Sequence, residues 1–91
     1  MTRSLREGDS DILGDLRITL QKVYEFNPRD PLDDAASLVI RVTDRGVRRS
    51  FPMFIRELHI EYFARYEFYA EEIQPSRDGK GRIRLQITYI G

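Results

Sequence analysis

The stretch Leu38-Val39-Ile40-Arg41-Val42-Thr43-Asp44-Arg45-Gly46-Val47-Arg48-Arg49-Ser50-Phe51-Pro52-Met53 decides the fold class. Leu38, Ile40 and Val42 form one row, with Arg41 and Thr43 on the opposite side. This is the period-two signature of a half-buried strand. Asp44-Arg45-Gly46 is a turn, and Val47, Arg49, Phe51 and Met53 form the returning row. Pairing Asp44 with Val47 sets Val42 beside Arg49, Ile40 beside Phe51 and Leu38 beside Met53, so both apolar rows share a face. A slip of one residue would set the first row against Arg48, Ser50 and Pro52. The pattern predicts an antiparallel hairpin.

Upstream, Leu16, Ile18, Leu20, Tyr24 and Phe26 also alternate with polar residues, and Lys22 interrupts the row. Asn27-Pro28 ends this strand, because Pro cannot donate to a ladder. In Asp30-Pro31-Leu32-Asp33-Asp34-Ala35-Ala36, Asp30 suits an N-cap and Pro31 the first helical position. A short helical turn near 31–36 follows. Residues 1–13 are polar with no apolar period and are expected to form a flexible N-terminal arm. Residues 14–91 then make a single β-rich domain.

Downstream, residues 57–73 carry two patterns. Leu58, Ile60, Tyr62, Ala64, Tyr66, Phe68 and Ala70 alternate as in a strand, while Ile55, Leu58, Tyr62, Tyr66, Tyr69 and Ile73 form a helical stripe. Strand is favoured, with a break near Ala64-Arg65, because an unbroken strand would span roughly 55 Å at the usual rise. The alternative is a helix within 52–73 packed on an antiparallel sheet. Asp78-Gly79 marks a last hairpin. Its closure sets Ala70 against Ile87 and Phe68 against Tyr89, with Glu71 near Arg84. No internal repeat is apparent. The fold class is mainly β: a small antiparallel sandwich or partly open barrel.

The 91 residues include no Cys and one His, His59. Thiolate metal sites and Cys–His pairs therefore lack material. No Gly-x-Ser-x-Gly elbow or phosphate-binding glycine loop is present. The chain is read as non-catalytic and without a cofactor. With no apolar run at the N-terminus and no disulfide, the cytoplasm is the expected compartment.

Net charge is zero but arranged in blocks: −3 over 1–36, +4 over 37–56, −4 over 57–76 and +3 over 77–91. Either neighbouring strands of opposite sign pair, or the basic segments form a patch for an acidic partner. Three functions are carried forward. The leading one is a protein-interaction or assembly module, an adaptor, homo-oligomer or virion-type component, with Phe54, Phe63 and Tyr69 as its interface. Phe63 and Tyr69 fall on the polar side of their strand, and one core cannot easily bury the whole aromatic set. The second is RNA or single-stranded DNA binding through Arg45, Arg48, Arg49, Arg77, Lys80, Arg82 and Arg84, joined by Arg41 and Arg56 if the two hairpins lie on one side, with tyrosines as stacking faces. The third is calcium binding through the acidic 27–34 loop, Asn27, Asp30, Asp33 and Asp34. Gly14-Asp15-Leu16-Arg17-Ile18-Thr19 is similar to the opening strands of the small RNA-binding carbon-storage regulators. The likeness spans under a tenth of the chain, and no fold or function is drawn from it.

Overall fold

Eight strands and one 3-10 turn build the molecule in a computed structural model, which describes residues 1–76 and 79–91. The strands are β1 (Thr2–Arg6), β2 (Ser10–Leu13), β3 (Leu16–Tyr24), β4 (Ala35–Asp44), β5 (Val47–Arg56), β6 (Ile60–Phe63), β7 (Tyr66–Gln74) and β8 (Arg82–Tyr89). They form two four-stranded antiparallel sheets: sheet 1 in the order β2-β3-β4-β5, and sheet 2 in the order β1-β8-β7-β6. The inner rows of both sheets meet in one core. Ile18, Leu20, Leu38, Ile40 and Ile55 come from sheet 1, and Phe68, Ile83 and Leu85 from sheet 2. None of the described residues forms a helix long and apolar enough to cross a membrane.

The hairpin that decided the fold class closes in the expected register. Asp44 pairs with Val47, Val42 with Arg49, Ile40 with Phe51 and Leu38 with Met53. Arg45 and Gly46 both have positive φ, 51° and 77°, as a tight two-residue hairpin turn requires. The 3-10 turn Pro31–Asp33 is capped as expected, with the Asp30 carboxylate accepting from the Leu32 amide at 3.1 Å. The doubtful 57–73 segment is two strands joined by a turn at Ala64 and Arg65, and no helix forms there.

Two expectations need correction. Residues 1–13 are not an arm: they are β1 and β2. Their apolar period is invisible because β1 is an edge strand that sends only Leu5 into the core. The last hairpin is shifted by two residues from the expected register. Ala70 faces Leu85 and Phe68 faces Ile87: the ladder is one residue off where Glu72 faces Arg84, and the bulge between Ala70 and Glu72 adds the second. The apolar rows still meet, since a shift of two keeps the face. Asp78 of the expected turn and Arg77 lie outside the described residues.

A repeat that the residues conceal governs the architecture. Every β2–β3 and β3–β4 pairing of sheet 1 recurs in sheet 2, fifty residues on for β2 and β3 and 47 residues on for β4. The Ala35–Val39 part of the β4–β5 ladder recurs as β8–β1. Leu16 opposite Val42 recurs as Tyr66 opposite Tyr89, and Ile18 opposite Ile40 as Phe68 opposite Ile87. The bulge after Leu20 recurs after Ala70. Leu13 opposite Leu16 recurs as Phe63 opposite Tyr66. Even the loop bonds match: Gly8 N donates to Leu20 O at 2.7 Å, and Leu58 N to Ala70 O at 2.8 Å. The halves also exchange a strand. β1 completes the sheet of the second half beside β8, and β5 completes that of the first beside β4.

Candidate functional site

Pleating gives each sheet an outward row, and the two outward faces differ in chemistry. On sheet 1, β3 presents Arg17, Thr19, Lys22 and Tyr24, β4 presents Ser37, Val39, Arg41 and Thr43, and β5 presents Arg48, Pro52, Phe54 and Arg56. No Asp or Glu stands on these strand positions. Arg17 lies directly opposite Arg41, and Arg48 is opposite Thr43, the next outward residue of β4. Like charges placed opposite one another repel and destabilise a sheet. Among the described residues, none of these three arginines has a carboxylate within ion-pair distance. Together with Ile12 of β2 and with Gly14 and Asp15 of the β2–β3 turn, they line a cleft of about 380 Å³.

The other end of this face is aromatic. Tyr24 and Phe26 stack at 5.6 Å between centroids with planes 6° apart. Phe54 leans against both, at 6.1 and 6.3 Å. The Lys22 ammonium lies 5.3 Å from the Tyr24 ring centre, a cation–π contact. Phe26 and Phe54 are nevertheless 57 and 47% exposed. Burial is therefore only part of what these rings do.

On the outer face of sheet 2, Arg84 is neutralised by two carboxylates. Arg84 Nε lies 2.9 Å from Glu71 Oε2, and Arg84 Nη2 lies 3.3 Å from Glu72 Oε2. The Tyr62 hydroxyl donates to Glu67 at 3.3 Å. The two readings of the charge blocks thus divide between the sheets. Opposite blocks pair around Arg84 in sheet 2, where Arg6 and Arg82 face each other without an ion pair among the described residues. A basic patch with no acidic residue on its outward strand positions stands on sheet 1.

The residues singled out from sequence are distributed as follows. Arg45 is at the β4–β5 turn and Arg48 on the outer face of sheet 1, while Arg49 lies on the inward row. Arg82 and Arg84 belong to sheet 2, and Lys80 to its loop, so the two basic hairpins do not share a face. Lys80 and Arg82 border a separate cleft with Arg6. Phe54 and Tyr69 stand on outer rows of different sheets. Phe63 is half-buried against the core, 5.2 Å from the Phe51 ring. Phe54, Phe63 and Tyr69 therefore do not make one surface.

Asp30, Asp33 and Asp34 do not converge, and the described residues contain no group of three or more His, Cys, Asp or Glu able to hold a metal ion. Asp30 is occupied by its cap. Asp34 is buried with Oδ1 unpartnered. Burial raises its pKa above 3.8, and Glu57, Glu25, Asp30 and Asp33 add to the rise. His59 is exposed, with Nδ1 3.0 Å from the Glu57 carbonyl.

Sequence reading named Arg41 but missed Arg17, Tyr24 and Phe26 as site residues. Arg17 and Arg41 sit on separate strands whose pairing brings them together, and Phe26 lies past the end of β3. The signal for them was the lack of any acidic residue on the polar rows of both strands. Comparison with family models, curated proteins and solved structures finds no match for the chain.

Proposed function

We propose that this protein is a non-catalytic binding module for single-stranded nucleic acid, RNA or DNA, held across the outer face of sheet 1. The supporting observation is the contrast between two faces of one repeated fold. At positions related by the repeat, Arg17 corresponds to Glu67, Lys22 to Glu72, Tyr24 to Gln74, Arg41 to Thr88 and Phe54 to Ser4. The same backbone pairing accepts Glu, Gln, Thr and Ser at these places. Building the sheet does not require a cationic and aromatic set there, so its presence on one face calls for a ligand.

The chemistry fits a flexible polyanion. Arginines without carboxylate partners neutralise phosphates and release counterions. Exposed rings offer π-faces to unpaired bases, a contact worth about 1–3 kcal/mol per base. From Arg48 to Phe54 the face runs six residues along β5, about 20 Å at the usual rise per residue. That length suits several nucleotides of an extended strand, within the roughly 4–16 covered by a single-strand-binding fold.

A protein partner also favours exposed aromatics, but the arginine triad gives the anionic polymer the advantage. The discriminating experiment is a salt titration of oligonucleotide binding with variants that copy the other half of the chain, Arg17→Glu with Arg41→Thr. A second copy of the chain on this face would instead appear as a dimer by light scattering, with no oligonucleotide binding.

A further inference from the structure

We infer that the cleft at the β2–β3 turn is a subsite for a phosphate monoester, the phosphorylated terminus of the bound strand. This rests on the nucleic-acid reading above and adds an end-specific contact to it. The cleft occupies one end of the face, with the aromatic cluster at the other. Arg17, Arg41 and Arg48 border it, with Asp15 on the rim. Three positive charges against one negative leave +2. A phosphate monoester carries about −1.5 to −2 near neutral pH, with a second pKa of about 6. An internal phosphodiester carries one negative charge and matches the cleft less well.

Donor count points the same way. Each guanidinium presents a planar fork of N–H groups suited to paired phosphate oxygens. A terminal phosphate exposes three such oxygens and an internal one only two. Gly14, with φ 58°, brings the turn to the cleft without a side chain, and Thr43 adds a hydroxyl to the lining. At the equivalent place in sheet 2 the residues are Ala64, Arg65, Glu67 and Thr88, a single cation beside a carboxylate.

Three otherwise identical fluorescent oligonucleotides of about 12 nucleotides, within the range of single-strand sites, test this by anisotropy. One carries a 5′-phosphate, one a 3′-phosphate, and one hydroxyls at both ends. One phosphorylated form should bind about tenfold or more tightly than the hydroxyl form, as added charge-assisted bonds imply. The preference should vanish in Arg41→Thr and shrink below about pH 6, where the phosphate gains a proton. Arg48→Ala gives the same test should Arg41→Thr fail to fold. Equal binding of all three forms overturns the terminal subsite and leaves the strand-binding reading standing. Preference for inorganic phosphate alone, with no gain from the oligonucleotide, assigns the cleft to a small phosphate and overturns it too. No binding of any form at low salt overturns both.

Discussion

Glu7 and Glu57, fifty residues apart, perform the same task in the two halves of the molecule. Glu7 Oε1 accepts from the Val23 amide at 2.7 Å, and Glu57 Oε1 accepts from the Ile73 amide at 3.1 Å. Each follows an arginine that ends an exchanged strand, Arg6 in β1 and Arg56 in β5. Each satisfies a backbone donor just past a β-bulge, where the ladder is offset. The two carboxylates therefore tie the end of each lent strand back to the long strand of its own half, β3 for Glu7 and β7 for Glu57, which lies in the opposite sheet. Either Glu→Ala change should leave a partly buried amide without its acceptor and cost about 2 kcal/mol. Urea unfolding of the two variants measures this. The repeat predicts similar losses, and a neutral effect at one site alone would contradict the equivalence.

Asp34 gives a pH signature. Its amide donates to Pro31 O and its carbonyl accepts from the Glu57 amide, so the backbone holds the residue in place. The side chain is only 4% exposed, and Oδ1 has no partner. Its folded-state pKa is raised, first by burial and then by Glu57 and the neighbouring acids. The folded state therefore holds the proton more tightly than the unfolded state. The resulting stability is fully present below the unfolded value near 3.8 and is lost as pH rises through the raised folded value. At neutral pH the ionised group costs stability. Asp34→Asn should raise stability at neutral pH by about 1–2 kcal/mol, with the gain shrinking as the medium is acidified. Urea midpoints for both proteins across the acidic range test this. A gain independent of pH would assign the effect to something other than ionisation.

Phe63 and Phe54 separate a core role from a surface role. Phe63 packs on Phe51 and the core, so Phe63→Glu should lower stability by about 3 kcal/mol through lost burial and a desolvated charge. Phe54→Ser copies the equivalent Ser4 and should cost only about 1 kcal/mol, the worth of its tilted ring contacts. Thermal or urea unfolding ranks the two, and oligonucleotide binding should fall for Phe54→Ser while its fold persists. Equal stability losses would mean that Phe54 is core material.

The hairpin from Leu38 to Met53 was legible to the register because one face of both strands is buried, and burial makes a slip costly. The 3-10 turn was legible because capping is local chemistry: Asp30 meets Leu32 within a few residues. The repeat was not legible. Few equivalent pairs are identical: Arg6 with Arg56, Glu7 with Glu57, Leu38 with Leu85 and Ile40 with Ile87. What the halves share is pairing, and pairing tolerates Ile18 in one half and Phe68 in the other. At the β2–β3 turn, Gly14 with φ 58° corresponds to Ala64 with φ 52°, so even the glycine signal of that turn is lost in the second half. The candidate site was hidden for a related reason. Arg17 and Arg41 are 24 positions apart, and only the β3–β4 register makes them neighbours.

The central claim is that the outer face of sheet 1 binds nucleic acid and its counterpart on sheet 2 does not. The direct test is anisotropy of a labelled single strand of about 12 nucleotides across a salt series. The wild-type protein is compared with Arg17→Glu/Arg41→Thr, whose residues are those of the second half. Wild type should bind at low salt and weaken steadily as salt rises, with a logarithmic slope of about −2 for three phosphate contacts on a single strand. The double variant should keep its fold, lose most of that affinity and flatten the slope. No binding by wild type at low salt, or undiminished binding by the folded variant, would contradict the account.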